Sequence, residues 1–116
     1  MTDTIDDKKK SYPYHRRCVR YRVRLRVTVS TLEDYDTWTE NLSYDGTCFV
    51  IPGQIKEGSL VDVRISLRSK EPNDLIRCRS KIVWNEKCDN GHRHGGQFVS
   101  FEGDDQARLK EYLPRF

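Results

Sequence analysis

The strongest constraint on the fold of this chain is a stretch near its start where apolar and polar side chains strictly alternate. Tyr21, Val23, Leu25, Val27 and Val29 alternate with Arg22, Arg24, Arg26 and Thr28. A period of two sends neighbouring side chains to opposite faces of an extended strand, whereas a helix needs apolar positions three and four apart. The β-branched side chains of Val23, Val27, Thr28 and Val29 also lose rotamer freedom in a helix and pack well on a pleated surface. One face of this strand must therefore enter a core, and the other offers a row of arginines to water or to a partner.

Further strands are expected over residues 37–41, 47–51, 60–67, 75–85 and 96–101, because turn-forming residues separate them. The separators are Asp45-Gly46, Pro52-Gly53, Glu57-Gly58, Pro72-Asn73-Asp74 and Asp89-Asn90-Gly91. Within 60–67 the alternation returns, with Val61, Val63, Ile65 and Leu67 on one side. Short strands joined by regular turns make an all-β protein, an antiparallel barrel or sandwich. The tail breaks the pattern. Asp104-Asp105 precedes residues 106–113, and Leu109, Tyr112, Leu113 and Phe116 recur at helical spacing. A short C-terminal helix is expected there, its acidic start suited to the positive end of the helix dipole, covering an open end or face of the sheet.

The chain has 116 residues, which suits one domain, with 35% hydrophobic and 34% charged residues, so a small core sits under a heavily charged surface. Residues 1–14, with Asp6-Asp7, Lys8-Lys9-Lys10 and Pro13, read as a flexible lead-in, and residues 15–116 as the domain. The net charge of +3 is too slight to argue for nucleic acid, but Arg16, Arg17, Arg20, Arg22, Arg24 and Arg26 crowd one segment. Four cysteines, at 18, 48, 78 and 88, form no Cys-x-x-Cys pair. With no cleavable leader and no apolar run of membrane length, a cytoplasmic protein with free thiols and no membrane insertion is expected. Cys88, His92 and His94, with Cys78, lack a closely spaced cysteine pair, so no metal site is expected, and the two histidines are read into a solvated hairpin loop. His15, His92 and His94 have no nucleophile or carboxylate at a suggestive spacing, so an enzyme is not expected either. Trp84 and Phe98 are read as core, and Trp38 is not assigned.

Two segments carry chemistry. Arg16-Arg17-Cys18-Val19-Arg20 lies just ahead of the first strand. A guanidinium donates paired hydrogen bonds to phosphate, its flat face stacks on a base, and it pairs with the O6 and N7 acceptors of guanine. A surface row of arginines is otherwise a common solvated strand face. Asn41-Leu42-Ser43-Tyr44-Asp45-Gly46 is a polar loop, ordinarily a turn, in which Asn41 and Ser43 offer short donors and acceptors. Gly46 there would supply a positive φ or let a ligand approach the backbone closely.

An Arg-x-x-x-Arg segment followed by Asn-x-Ser-x-x-Gly, here Arg16 to Arg20 and then Asn41, Ser43 and Gly46, resembles the motif pair of PilZ domains. The resemblance extends through Thr47-Cys48-Phe49-Val50, Gly58-Ser59-Leu60-Val61-Asp62-Val63, Lys81-Ile82-Val83-Trp84 and Gly96-Gln97-Phe98-Val99, covering about residues 15–115. It implies a six-stranded antiparallel barrel with a short C-terminal α-helix, binding cyclic di-GMP, a bacterial messenger, on the outside. It further implies that Arg16 and Arg20 hold phosphates and bases, with Arg17 an added contact. Asn41 and Ser43 would read guanine, and Gly46 would hold the loop's shape. His15 stands where many relatives carry another arginine. Arg20 with Arg24, and Arg22 with Arg26, fit the same spacing; Arg16 with Arg20 is preferred because Arg22, Arg24 and Arg26 alternate with core residues.

The implied function is a cyclic di-GMP receptor whose N-terminal segment changes conformation on binding and signals to a partner protein. Two other readings remain at this point. One is a barrel of the same fold that acts as a protein adaptor without the dinucleotide. The other is a single-stranded nucleic-acid binder that stacks bases on surface aromatics, with Tyr21, Tyr35, Trp38 and Tyr44 as candidates.

Overall fold

The computed structural model describes residues 20–71 and 73–115. The lead-in over residues 1–14, and Arg16 and Arg17 with it, lie outside the described residues, as does the junction drawn between 14 and 15. The strands are β1 (Arg26–Ser30), β2 (Asp34–Leu42), β3 (Gly46–Ile51), β4 (Leu60–Ser66), β5 (Leu75–Cys88) and β6 (Gly91–Phe101), followed by α1 (Asp105–Tyr112) and a 3₁₀ turn over Leu113–Arg115. They close into an antiparallel barrel in the order β1-β2-β3-β6-β5-β4, with β1 pairing back onto β4 through Val27 opposite Ile65.

The alternation puts Val27 and Val29 of β1, Val61, Val63 and Ile65 of β4, and Ile76 and Ile82 of β5 into a shared interior, all buried. Removing such side chains from water is the main force that closes the barrel. One end is covered by α1, where Leu109 and Tyr112, with Leu113 just beyond, are buried. Asp105, at the first turn of the helix, does more than complement a dipole. It is buried, accepts the Arg77 backbone N–H of β5 at 2.8 Å and meets Arg108 Nη1 at 2.8 Å. The Arg68 backbone N–H donates to the Tyr112 hydroxyl at 2.9 Å, so both ends of α1 are tied to the barrel.

Three boundaries differ from the sequence reading. Regular ladder begins at Arg26 rather than Tyr21; residues 21–25 run extended beside β2, with an isolated bridge from Tyr21 to Leu42. β2 starts earlier, at Asp34. The third difference is a correction. Residues 86–95 are no solvated loop, because β5 and β6 run on as a hairpin to Cys88 opposite Gly91, turning through Asp89-Asn90. Their polar side chains hide the strand pattern from the sequence. The turn is of the two-residue kind, with Gly91 at φ +133° and with Ile51 O only 2.3 Å from where a Cβ would sit.

His94 is the consequence of that hairpin. It is fully buried and stacks on Phe49 with ring centroids 5.4 Å apart. The Ile55 backbone N–H donates to its Nε2 at 2.9 Å, which fixes a neutral ring with the proton on Nδ1. Burial holds the imidazole down from 6.5 to about 4. The unfolded chain takes up a proton below pH 6.5 that the folded chain refuses until about pH 4, so His94 leaves stability intact above pH 6.5 and lowers it as pH falls through that window. Urea unfolding at pH 7 and at pH 4.5 should show the native chain losing about 2–3 kcal/mol more than His94→Gln. Equal losses in the two proteins would refute this account of the ring.

Candidate functional site

An open groove of about 550 Å³ lies on the outside of the barrel, lined by Arg20, Arg22, Glu40, Asn41, Cys48, Trp84, Glu86 and Arg93. It exists because of an irregularity in β2. Thr39 pairs with Phe49 but Asn41 pairs with Cys48, so Glu40 is an extra residue with no partner on β3. Such a bulge resets the parity of a strand. Thr39 points inward and is fully buried, Glu40 points out, and Asn41 is turned to the outer side instead of following Thr39 into the core.

The arm that carries the arginines is fastened at the same place. Buried Thr39 uses its hydroxyl as a backbone substitute, accepting the Leu25 N–H at 3.0 Å and donating to Val23 O at 2.5 Å, while its own N–H reaches Leu25 O at 2.8 Å. Tyr21 and Leu42 exchange two backbone bonds, at 2.8 and 2.9 Å. These contacts place Arg20 over the end of β2, where its Nη1 donates to Asn41 Oδ1 at 2.6 Å. The arginine row therefore divides. Arg20 and Arg22 line the groove, whereas Arg24 and Arg26 stand over Trp38, their guanidinium carbons 5.2 and 5.3 Å from its ring centroid.

The loop after β2 is closed on itself. Ser43 is fully buried, its hydroxyl donating to Asp45 Oδ1 at 2.5 Å and its backbone N–H to Gly46 O at 2.9 Å. The Phe98 N–H holds Asp45 O at 2.8 Å, and the Thr47 hydroxyl donates to Asn41 O at 2.7 Å. Gly46 is not among the residues at positive φ; a Cβ there would fall 2.2 Å from Gly96 O on β6, so close strand approach is what demands glycine. The opposite wall has a similar requirement. A Cβ on Gly95 would lie 2.1 Å from Trp84 Nε1, so the indole rests directly on the β6 backbone.

The floor was not legible in the sequence. Arg93 Nε meets Glu40 Oε1 at 2.7 Å, and this hydrogen bond raises the arginine's pKa. Cys48 lies behind the pair, its thiol pushed up to about 12 by burial first and then by the Glu40 charge. Glu40 and Arg93 are far apart in sequence, and only the pairing of Val50 with Arg93 across β3 and β6 brings them together. Of the aromatics read as surface stacking candidates, Tyr21, Tyr35 and Tyr44 are partly buried against the core, and Trp38 is 42% exposed. Among the described residues no cluster of three His, Cys, Asp or Glu side chains is arranged to hold a metal, and no helix is long and apolar enough to cross a membrane.

The sequence model of the PilZ domain matches residues 14–115. No curated protein matches the chain in sequence. Among solved structures, the Bacillus subtilis inhibitor of motility (MotI/DgrA) is similar with a TM-score of 0.77 at 20% identity, over 93% of this chain and 54% of that one. The K. pneumonia MrkH–c-di-GMP complex is similar with a TM-score of 0.63 at 20% identity, over 87% of this chain and 52% of that one. The chain thus spans about half the length of either protein, and the likeness is one of fold.

Thr39→Val keeps the shape of the side chain but strands the Leu25 N–H and the Val23 carbonyl in the interior. Urea unfolding should register a loss of about 2–4 kcal/mol, from two buried groups left without partners. Hydrogen exchange should quicken at Leu25. A loss below about 0.5 kcal/mol, the range of a neutral surface change, would mean that the hydroxyl does not fasten the arm.

Proposed function

This chain belongs to the PilZ domain family, and on that premise we propose that it is a receptor for cyclic di-GMP, bound in the groove on the outside of the barrel. The observation that carries the reading is the contact of Arg20 with Asn41 at 2.6 Å, which joins the two motif segments at the mouth of one groove. In this reading Arg16, Arg17 and Arg20 take the phosphates and stack on the bases, because a guanidinium can do both. Asn41 meets a guanine edge, while Ser43, buried with its hydroxyl on Asp45, serves the site by holding the loop that carries Asn41, and Gly46 keeps that loop close to β6. The neighbouring MrkH structure, a c-di-GMP complex on the same fold, supports the choice of ligand. The reaction is binding alone, with no catalytic step.

The output is a change in the N-terminal segment. A ligand that draws Arg16 and Arg17 onto the barrel fixes backbone at a cost of about 1–2 kcal/mol per residue, and converts binding into a new surface for a partner protein. Nucleic acid is disfavoured as the ligand, because three of the four candidate stacking aromatics pack against the core.

Calorimetric titration with cyclic di-GMP, with GTP and GMP as controls, tests the binding. Saturable heat is expected for the dinucleotide alone, weakened about tenfold or more in Arg16→Ala and in Arg20→Ala, the scale of losing one charged hydrogen-bonded contact. Absence of binding by the native chain would leave the fold as a ligand-independent adaptor. For the output, hydrogen exchange over residues 10–20 should slow on saturation with cyclic di-GMP; an unchanged rate would eliminate the N-terminal switch while leaving the receptor standing.

A further inference from the structure

Away from the groove, the outer wall of β1 and β2 carries an arrangement that the receptor reading does not use. Trp38 is 42% exposed, with the guanidinium carbons of Arg24 and Arg26 at 5.2 and 5.3 Å from its ring centroid. Arg68 extends the basic stripe, its Nη2 donating to Arg24 O at 2.6 Å. None of Arg22, Arg24, Arg26 or Arg68 forms an ion pair with a described carboxylate. The acids nearby are engaged elsewhere: Asp36 accepts the Thr28 hydroxyl, Glu40 holds Arg93, and Asp34 faces Arg64 at 3.7 Å. Beside Trp38 is a hollow of about 610 Å³ whose lining includes Arg24, Val50, Pro52 and Asn90.

We propose that this wall docks an extended acidic segment of a partner protein, the arginines taking its carboxylates while Trp38 and the hollow take an apolar side chain. Charge complementarity is the first argument, since Arg24, Arg26 and Arg68 form no ion pair with a described carboxylate, and Asp34, Asp36 and Glu40 beside them are held by other partners. Geometry is the second. Alternate residues of an extended strand are about 6.6 Å apart, so Arg24 and Arg26 stand at the spacing of alternate side chains in an extended peptide. Residue type is the third, because Trp and Arg are the side chains that most often anchor protein interfaces. A single-stranded nucleic acid fits less well, since it stacks successive bases on several aromatics, and of Tyr21, Tyr35, Trp38 and Tyr44 only Trp38 is exposed. An anionic membrane fits less well too, because a flat lipid surface cannot place a side chain in the hollow beside Trp38 as a peptide can. The surface stands whether or not cyclic di-GMP binds, although Glu40 lines both the hollow and the groove and would let an occupant of one affect the other.

The test uses the full chain and a fluorescein-labelled peptide of alternating glutamate and leucine, with a lysine–leucine peptide, an oligo-dT strand and phosphatidylglycerol vesicles alongside. Anisotropy should give saturable binding of the acidic peptide and none of the basic one. In ¹⁵N-labelled protein the Trp38 indole N–H and the amides of residues 24–26 and 37–40 should shift. Arg24→Glu with Arg26→Glu should weaken binding at least about tenfold, the scale of one lost interface anchor, with spectral dispersion retained as proof of folding. Trp38→Ala should weaken it as well without changing the charge. The proposal is overturned if the acidic peptide does not saturate, if its shifts fall on another face, or if the charge-reversed protein binds it equally. It is likewise overturned if oligo-dT or the vesicles occupy this wall more tightly than the peptide does.

Discussion

The side chain of Thr39 is the joint on which the outer face of this barrel depends. Its hydroxyl accepts from Leu25 and donates to Val23, replacing two ladder bonds that the chain cannot make where β2 is irregular. A hydroxyl carries both a donor and acceptor lone pairs, which valine lacks and a longer amide would overfill. The next residue, Glu40, is the inserted one, and its unpaired place turns Asn41 outward. Fastening the arm and turning the asparagine are thus accomplished within three consecutive residues. The meeting of Arg20 with Asn41 follows from both.

Much of the architecture could be read from the residues. The alternation around Val27 and around Val63 fixes which faces are buried, and the turn-formers fix where strands end, because both depend on neighbours in sequence. The family motifs likewise single out Arg20 and Asn41 as a pair before any geometry is known. What could not be read depends on partners far along the chain. The bulge at Glu40 follows from matching β2 to β3, and no local signal distinguishes Glu40 from an ordinary exposed residue. His94 sits among Asn90, His92 and Arg93 and looks solvated, yet the pairing of β3 with β6 places it under Phe49. At Gly46 the sequence offers a positive φ as the reason for glycine, whereas the structure supplies a different one, the nearby carbonyl of Gly96 across the β3–β6 pairing.

The arginines show how one repeated residue type is given different surroundings. From Arg20 to Arg26 they leave the strand on the same side, but the change from extended arm to regular ladder separates them. Arg20 finds a side-chain amide, while Arg24 and Arg26 find an indole. Around β4, next to β1, Arg64 and Arg79 are matched by Asp34 and Asp62 instead. Exposed pairs of that kind contribute little to stability. Their effect is to neutralise Arg64 and Arg79, whereas Arg24 and Arg26 form no ion pair with a described carboxylate.

Closure of the sheet has a consequence for how this molecule can associate. Because β4 returns to β1, the wall of the barrel is closed, but β5 runs past β4, and beyond Ile82 its described backbone is laddered to β6 alone. Pairing by main-chain hydrogen bonds, which is tolerant of sequence, is therefore shut out along the closed wall and confined to overhangs such as this one. Whatever associates with the closed wall must be recognised through the chemistry of its side chains, and a wall as polar as this one discriminates against indifferent contacts.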